Sequence, residues 1–353
     1  MKTRSEIVDI SRGALIILVT LGHIIQFITI GMGGGEKFFE NRLFSFIYSF
    51  HMPAFMMISG FLFYLTSWNK RPLTVFKKKI GQLFVPIISW NALGYLTIYL
   101  PLHYRELTSI GSVLKSFADF CTLWFLVSVF INSVFALVIR VICDRLKCLS
   151  NMYSKVWFQL GLLLFTMILG MVIPTAGQYT FMLPCFYFGF ILAQFNINIF
   201  DESRNSVIRI TLSALFFALI PFYSVEAYVY TTGVYVTSVE QILVDLYRWF
   251  IGICGTCLLI ELLKKARCVK LVGCKKLALL GQNTLPIYAI QSLCFTSLFY
   301  PFGKIVGEYI NYSSMLVNVI SVAVTIPALF FMLKISNWFN KSIILRYTFL
   351  GGR

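Results

Sequence analysis

The chain has 353 residues, of which 58% are hydrophobic and only 12% are charged, and this composition excludes an ordinary soluble domain. Soluble domains carry roughly 25% charged residues and limit their exposed apolar patches to roughly a few hundred Å². The formal net charge of +16 is distributed over short loops between apolar runs. Positive charge in such loops sets the orientation of the chain in the membrane and contacts anionic lipid headgroups, so nucleic acid is not predicted as a partner. Membrane lipids are the predicted surroundings of most of the chain.

Apolar runs long enough to cross about 30 Å of hydrocarbon recur from one end of the chain to the other. They predict an all-α polytopic membrane protein, a bundle of about ten transmembrane helices forming one domain over residues 1–353. Lys and Arg are concentrated in alternate loops, and positive loops stay in the cytoplasm. Both termini are therefore predicted to be cytoplasmic. The predicted spans lie near 10–30, 43–66, 80–100, 120–140, 156–174, 179–196, 206–223, 243–263, 279–300 and 313–334.

The first span carries three ionisable residues, Asp9, Arg12 and His23. It has no small-residue cleavage site, so it is expected to remain as a span. Arg12 and His23 are separated by three helical turns plus about 20°, so they share one face, roughly 16 Å apart along the axis. Asp9 can pair with Arg12 one turn away, near the cytoplasmic surface. Arg12 alone is also explained by snorkelling to headgroups, whereas a histidine as deep as His23 indicates a function.

The second span begins with Phe50-His51-Met52-Pro53 and enters from the outside. His51 then reaches a depth similar to that of His23, and the two side chains are expected to converge in the outer half of the bilayer. Because imidazole titrates near neutral pH, a neutral histidine there can act as a general base toward a hydroxyl group. Two histidines without Cys, Asp or Glu at ligand spacing give little support to a metal, and none is predicted. His103 is interpreted as a solvated loop residue.

The second cytoplasmic connection contains Lys77, Lys78 and Lys79, and a later one is basic from Lys264 to Lys276. Positive-inside topology accounts for part of this charge. The functional interpretation is a phosphate-rich cytosolic ligand held by the ammonium groups together with Arg12.

Several motifs together resemble the membrane acyltransferase-3 superfamily of sugar and polysaccharide O-acetyltransferases, in a stand-alone form that covers nearly the whole chain. The motifs are Asp9-x-x-Arg12-Gly13 with Leu21-Gly22-His23, then Phe50-His51-Met52-Pro53, Phe55-x-x-x-Ser59-Gly60-Phe61, Leu123-Trp124-Phe125-Leu126, Leu183-Pro184-Cys185-Phe186-x-x-Gly189, and the segment from Leu280 through Asn283 to Tyr288. Two positions depart from the family. Lys79-x-x-Gln82 stands where the family often has Arg-x-x-Arg, and Gln291 stands where it often has His.

The resemblance implies an O-acyltransferase of the bacterial cytoplasmic (inner) membrane. Its donor would be acetyl-CoA, held by Arg12, Lys77, Lys78 and Lys79, and its acceptor a hydroxyl group of a cell-surface polysaccharide such as lipopolysaccharide O-antigen, or of a lipid-linked sugar precursor. His23 would remove the acceptor proton or carry the acyl group, with Asp9 and His51 beside it in the catalytic set. Further pocket residues would be Ser59, Trp124, Asn283 and Tyr288. A homo-oligomer is compatible with this interpretation.

A second class stays open, namely a transporter or flippase for a lipid-linked sugar or acyl group, with Arg12, His23 and His51 along a proton or substrate path. Against it, the spans show no paired repeats and few helices broken by Gly or Pro. Two further questions stay open. One is whether the acyl group is acetyl or succinyl, and the other is whether it passes through a covalent acyl-histidine or is transferred directly.

Overall fold

The computed structural model describes residues 6–106, 109–120, 123–146, 151–172, 181–200, 206–224, 239–268 and 273–352. Within these ranges every regular element is a helix and no strand occurs, which confirms the all-α prediction. The α-helices are α1 (Glu6–Gly31), α2 (Arg42–Tyr48), α3 (His51–Ser67), α4 (Pro72–Lys79), α5 (Val85–Gly94), α6 (Leu100–His103), α7 (Ile110–Asp119), α8 (Trp124–Arg145), α9 (Met152–Val172), α10 (Leu183–Gln194), α11 (Ser206–Leu219), α12 (Val239–Cys268), α13 (Gly273–Gln282), α14 (Thr284–Cys294), α15 (Tyr300–Tyr309), α16 (Ser314–Asn340) and α17 (Ile343–Leu350).

Among the described residues, six helical segments are long and apolar enough to cross a membrane. They are Glu6–Gly31, Arg42–Ser67, Pro72–His103, Trp124–Arg145, Ile242–Arg267 and Ser314–Asn340. Each overlaps a predicted span. Three shorter apolar helices, Ser154–Phe165, Leu183–Gln194 and Ser206–Phe222, overlap three more. The total of about ten spans and the cytoplasmic position of the termini remain predictions.

Two of the predicted spans have different bounds in the structure. The third is preceded by α4, which runs on into α5 and α6 through π-helical turns at Ile80–Phe84 and Tyr95–Tyr99. The basic residues at the end of α4 therefore belong to the same long helix as the span. The run near 279–300 is interrupted at Asn283, and α14 then continues into α15 through a π-helical turn at Phe295–Phe299.

The chain divides into two compact units. The first consists of Met1–Leu15, Ser45–Lys77 and Ser128–Gln282, and the second of Ile16–Phe44, Lys78–Val127 and Asn283–Arg353. α1 contributes its first part to one unit and the remainder to the other. A single domain over residues 1–353 remains a prediction.

In the first unit, α3 and α10 cross with their backbones in direct contact. A Cβ atom on Gly60 would lie 1.8 Å from the backbone oxygen of Phe186, and one on Gly189 would lie 1.9 Å from that of Met57. Only glycine fits at both positions, which is how small residues allow helices to approach in lipid. Beside the crossing, the rings of Phe63 and Phe186 pack with their centroids 5.8 Å apart.

α11 and α12 of the first unit are joined by buried charges. Arg209 on α11 is hydrogen-bonded to Glu261 on α12, and Lys264 lies 3.8 Å from the same carboxylate. Toward its other end, α12 carries a second pair, in which Arg248 donates to Asp245 at 2.9 Å. All five side chains are buried or nearly so. α12 therefore has an ion pair toward each end.

In the second unit, the later part of α1 is held against α15. A Cβ on Gly31 would lie 2.4 Å from the backbone oxygen of Tyr300, and one on Gly303 would lie 2.6 Å from that of Ile28. At the other end of this unit, Trp90 on α5 donates from Nε1 to the backbone oxygen of Phe349 at 2.8 Å. The first of these contacts determines which side of α1 faces α14 and the π-helical turn.

Candidate active site

The start of α1 forms one side of a polar cavity. Asp9 is only 3% exposed, and its Oδ2 accepts a hydrogen bond from Gln282 Nε2 at 3.4 Å. A cavity of about 400 Å³ lies here, lined by Glu6, Asp9, Lys275, Ala278, Leu279 and Gln282. Glu6, one of these lining residues, also forms an ion pair with Arg267, and the charged atoms are 3.6 Å apart. Asp9, a residue of α1, is therefore also bonded to α13.

Arg12 follows Asp9 by one turn of α1 and is half-buried. Lys77 and Lys78 are exposed at the end of α4, and Lys79 is half-buried beside them. The two exposed lysines are accessible cations, as an anion-binding role requires. The pairing of Arg12 with Asp9, and the joint action of Arg12 with the three lysines, remain predictions.

His23 lies in the later part of α1, against the π-helical turn that follows α14. Its ring centroid is 4.4 Å from that of Phe295, and its side chain is hydrogen-bonded to Gln26 one turn further on. Phe27 stacks on the same phenylalanine, with centroids 4.7 Å apart. π-helical turns inside helices are often found at functional sites. His23 is half-buried, so its ring is held by packing while part of it stays accessible.

His51 has a defined tautomer. Its Nδ1 lies 2.7 Å from the backbone oxygen of Ile47, and because a carbonyl oxygen can only accept, Nδ1 carries the proton. In a neutral ring Nε2 is then the basic nitrogen. The residue is 2% exposed and packs against Tyr48, with ring centroids 4.6 Å apart. His51 belongs to the first unit and His23 to the second, and their convergence remains a prediction.

The further pocket residues, Ser59, Trp124, Asn283 and Tyr288, separate into two groups. In the second unit, the Phe125 ring lies between Trp124 and Tyr288, with centroid distances of 6.1 Å and 5.9 Å. Asn283 precedes α14 and accepts a hydrogen bond from Ser336 at 3.2 Å. Ser59 belongs to the first unit and donates to the backbone oxygen of Phe55 within its own helix at 2.8 Å. Among the described residues, no group of three or more His, Cys, Asp or Glu could hold a metal ion.

One polar contact beside His23 was not predicted from the sequence. Thr20, one turn before His23, has its hydroxyl oxygen 2.8 Å from Gln291 Oε1 and 2.9 Å from the backbone oxygen of Ile16, and the side chains of Thr20 and Gln291 are completely buried. In the sequence, Gln291 differs from the family only in standing where the family often has a histidine. A buried amide in an apolar span was the signal that could have marked it as a site residue.

Comparison with known proteins places this chain among acyltransferases. The family model described as "Acyltransferase domain" matches residues 6–334. Nodulation protein NolL of Sinorhizobium fredii is 28% identical over 208 residues, which are 57% of this chain and 51% of that protein. Nodulation protein NolL of Mesorhizobium japonicum is 35% identical over 85 residues, 24% of this chain and 22% of that protein. The chain thus spans about half the length of the first relative and less than a quarter of the second. No solved structure matches it.

Proposed function

Because this chain belongs to the acyltransferase family whose domain covers residues 6–334, we propose that it is an integral membrane O-acetyltransferase. It would take an acetyl group from acetyl-CoA in the cytoplasm and transfer it to a hydroxyl group of a cell-surface polysaccharide or of its lipid-linked precursor. The observation that carries the proposal is that Arg12 and His23 lie on one uninterrupted helix, Glu6–Gly31. The proposed location is the bacterial cytoplasmic membrane.

The donor would enter along α1. Arg12 is a planar guanidinium suited to bidentate contact with a phosphate, and Lys77, Lys78 and Lys79 add further cations. His23 is eleven residues beyond Arg12, which is about 16 Å at 1.5 Å per residue. That is roughly the reach of an extended pantetheine arm. With its phosphates at Arg12, acetyl-CoA would bring its thioester to the imidazole.

The chemistry proposed for His23 is general base catalysis. The imidazole removes the proton of the acceptor hydroxyl group as its oxygen attacks the thioester carbonyl carbon. The tetrahedral intermediate then collapses, the carbon–sulfur bond breaks, and the proton passes from the imidazolium to the departing CoA thiolate. The products are the acetyl ester and free CoA. In the alternative sequence, the imidazole itself attacks and carries the acetyl group to the acceptor.

The other predicted site residues support this step. Asp9 would orient the start of α1 through its contact with Gln282 and balance the charge of Arg12. His51, with Nε2 as its basic nitrogen, would be a second proton acceptor on the acceptor side. Tyr288 and Trp124 would contact the sugar through their rings, and Ser59 and Asn283 through hydrogen bonds.

The test uses inverted membrane vesicles from native host cells, whose cytoplasmic face is outward. Vesicles with the wild-type chain and vesicles with His23→Ala are given [14C]acetyl-CoA, and label in the sugar fraction and free CoA are measured. The proposal predicts stoichiometric labelling and CoA release in the wild type only. Movement of lipid-linked sugar across the membrane without consumption of acetyl-CoA would replace it with the flippase alternative.

A further inference from the structure

The cavity beside Asp9 is a groove between the start of α1 and one face of α13. Glu6 and Asp9 line its α1 side. Four further lining residues have the spacing i, i+3, i+4 and i+7 that places them along a single face of α13, namely Lys275, Ala278, Leu279 and Gln282. This face is about 10 Å long at 1.5 Å per residue. The volume of about 400 Å³ is within the roughly 300–1,000 Å³ of small-molecule sites.

The lining of the groove carries charges of both signs. Lys275 is the third residue of α13, so it belongs to the end of the helix where the helix dipole also favours an anion. Gln282 is the last residue of the same helix and is hydrogen-bonded to Asp9. Glu6 adds a second carboxylate, which is paired with Arg267. The groove therefore offers a cation at the start of α13 and hydrogen-bond acceptors along α1.

These groups suit a ligand that carries a phosphate together with O–H and N–H donors. A plain anion would be attracted by Lys275 but repelled by the carboxylates of Glu6 and Asp9, and a polyamine would meet the reverse. The adenosine 3′-phosphate end of CoA has its phosphate beside the ribose 2′-hydroxyl group, and its adenine carries an amino group. Carboxylates accept hydrogen bonds from both of these donors. Ala278 and Leu279 provide an apolar surface for the base.

We propose that this groove binds the adenosine 3′-phosphate end of the acyl-CoA donor, with the ammonium of Lys275 on the 3′-phosphate. The inference rests on the proposed function. Glu6 and Asp9 accept hydrogen bonds from the ribose hydroxyl group and the adenine amino group, and the base lies against Leu279. Arg12 follows Asp9 by about one turn of the same helix, so the pyrophosphate extends from the groove toward its guanidinium. Lys275 is then the residue that distinguishes CoA from dephospho-CoA.

Two variants test the phosphate contact and the groove separately. Lys275→Gln removes the cation, and its control is Lys341→Gln, an exposed lysine at the end of α16. Ala278→Phe fills the groove, and its control is Ala323→Phe at an exposed position within α16. Each full-length protein is purified in detergent and checked by thermal unfolding. It is then titrated calorimetrically with acetyl-CoA, with acetyl-dephospho-CoA and with adenosine 3′,5′-bisphosphate.

The wild type should bind acetyl-CoA about fivefold more tightly than acetyl-dephospho-CoA, which is the worth of one solvent-accessible ion pair. Lys275→Gln should bind the two donors equally, whereas Lys341→Gln should keep the wild-type preference. Ala278→Phe should bind acetyl-CoA at least about tenfold more weakly, because the base loses its apolar contacts. It should not bind adenosine 3′,5′-bisphosphate, which the wild type and Ala323→Phe should both bind.

Either variant can overturn the inference. A preference for acetyl-CoA that survives in Lys275→Gln would show that another residue contacts the 3′-phosphate. Wild-type affinity for acetyl-CoA in a folded Ala278→Phe protein would show that the nucleotide binds elsewhere, and if that variant does not fold, Lys275→Gln carries the test alone. A wild type that neither binds nor consumes acetyl-CoA would end the proposed function and this inference with it. The two failures are distinguishable, because a wild type that consumes acetyl-CoA upholds the proposed function whatever the variants show.

Discussion

Gly13 on α1 and Gly281 on α13 face each other with no space for a side chain on either. A Cβ on Gly281 would lie 1.8 Å from the backbone oxygen of Asp9 and 3.0 Å from the nitrogen of Gly13. A Cβ on Gly13 would lie 1.9 Å from the backbone oxygen of Leu277. The backbone around Asp9 is therefore fixed by direct contact between two helices.

Replacing either glycine should loosen the proposed donor end of the site. We expect Gly281→Ala to force α13 away from α1 and to lower the free energy of unfolding by about 1–3 kcal/mol. Because Asp9 would move with this contact, acetyl-CoA binding should weaken too. Gly161→Ala on α9 is the control, since a Cβ there meets nothing within 4 Å. Thermal unfolding in detergent and calorimetric titration measure the two effects. Equal behaviour of the two alanine variants would contradict the close contact.

His23→Ala should abolish transfer in a protein that still folds. A lost general base or nucleophile costs at least about a hundredfold in rate. The control is His103→Ala. His103 was interpreted as a solvated loop residue, but it lies half-buried at the end of α6, where its ring stacks on Tyr99 with centroids 4.2 Å apart. Label transfer from [14C]acetyl-CoA is the measurement. Near-wild-type transfer by His23→Ala would make His51 the leading candidate.

Arg12 should contribute to donor binding more than to chemistry. Arg12→Lys should weaken acetyl-CoA binding and Arg12→Ala should weaken it further, because an ammonium cannot copy a bidentate guanidinium contact. His23→Ala should leave binding largely intact. Titrations with acetyl-CoA and dephospho-CoA measure this, with Arg105→Ala, an exposed cation beside Tyr104, as the control. Unchanged affinity in Arg12→Ala would reduce Arg12 to a snorkelling residue, and the donor site would then be sought around Lys77, Lys78, Lys79 and the basic stretch from Lys264.

The predicted topology has its own test. A reporter that works only in the cytoplasm should be active when it is fused after Arg353. A reporter that works only outside the membrane should be active when it is inserted near Glu226. Both positions lie outside the described residues. The opposite result at either point would place the proposed donor site on the wrong side of the membrane.

Sequence patterning predicted the helical class, and the six long apolar helices overlap runs that it identified, because apolar runs of that length have few alternatives in lipid. The first span was predicted near 10–30, and α1 covers Glu6–Gly31. The predicted span near 279–300 missed the interruption at Asn283, although the polar run Gln282-Asn283-Thr284 breaks the apolar stretch there. The contact of Gly281 with α1 is a tertiary feature that hydropathy does not report.

The polar partners were harder to predict than the helices. Thr20 and Gln291 are 271 positions apart in the chain, and periodicity indicates which face of a helix is buried but not which residue it meets. His23 is predictable from the sequence because a deep histidine is rare. The contact of Gln291 is not predictable in this way, because a single buried amide has no motif of its own.

The ion pairs of α12 have a consequence for how the chain enters the membrane. The apolar stretch 249–260 between them is about 18 Å long at 1.5 Å per residue, short of the roughly 30 Å of hydrocarbon. Asp245 and Arg248 neutralise each other within α12, and so do Glu261 and Lys264. Arg209, however, lies on α11, which is synthesised before α12. Its partner Glu261 is on α12 and is therefore made later. Since an unpaired arginine opposes release into lipid, α11 would wait at the insertion channel until α12 emerged, and the two helices would enter the bilayer as a hairpin.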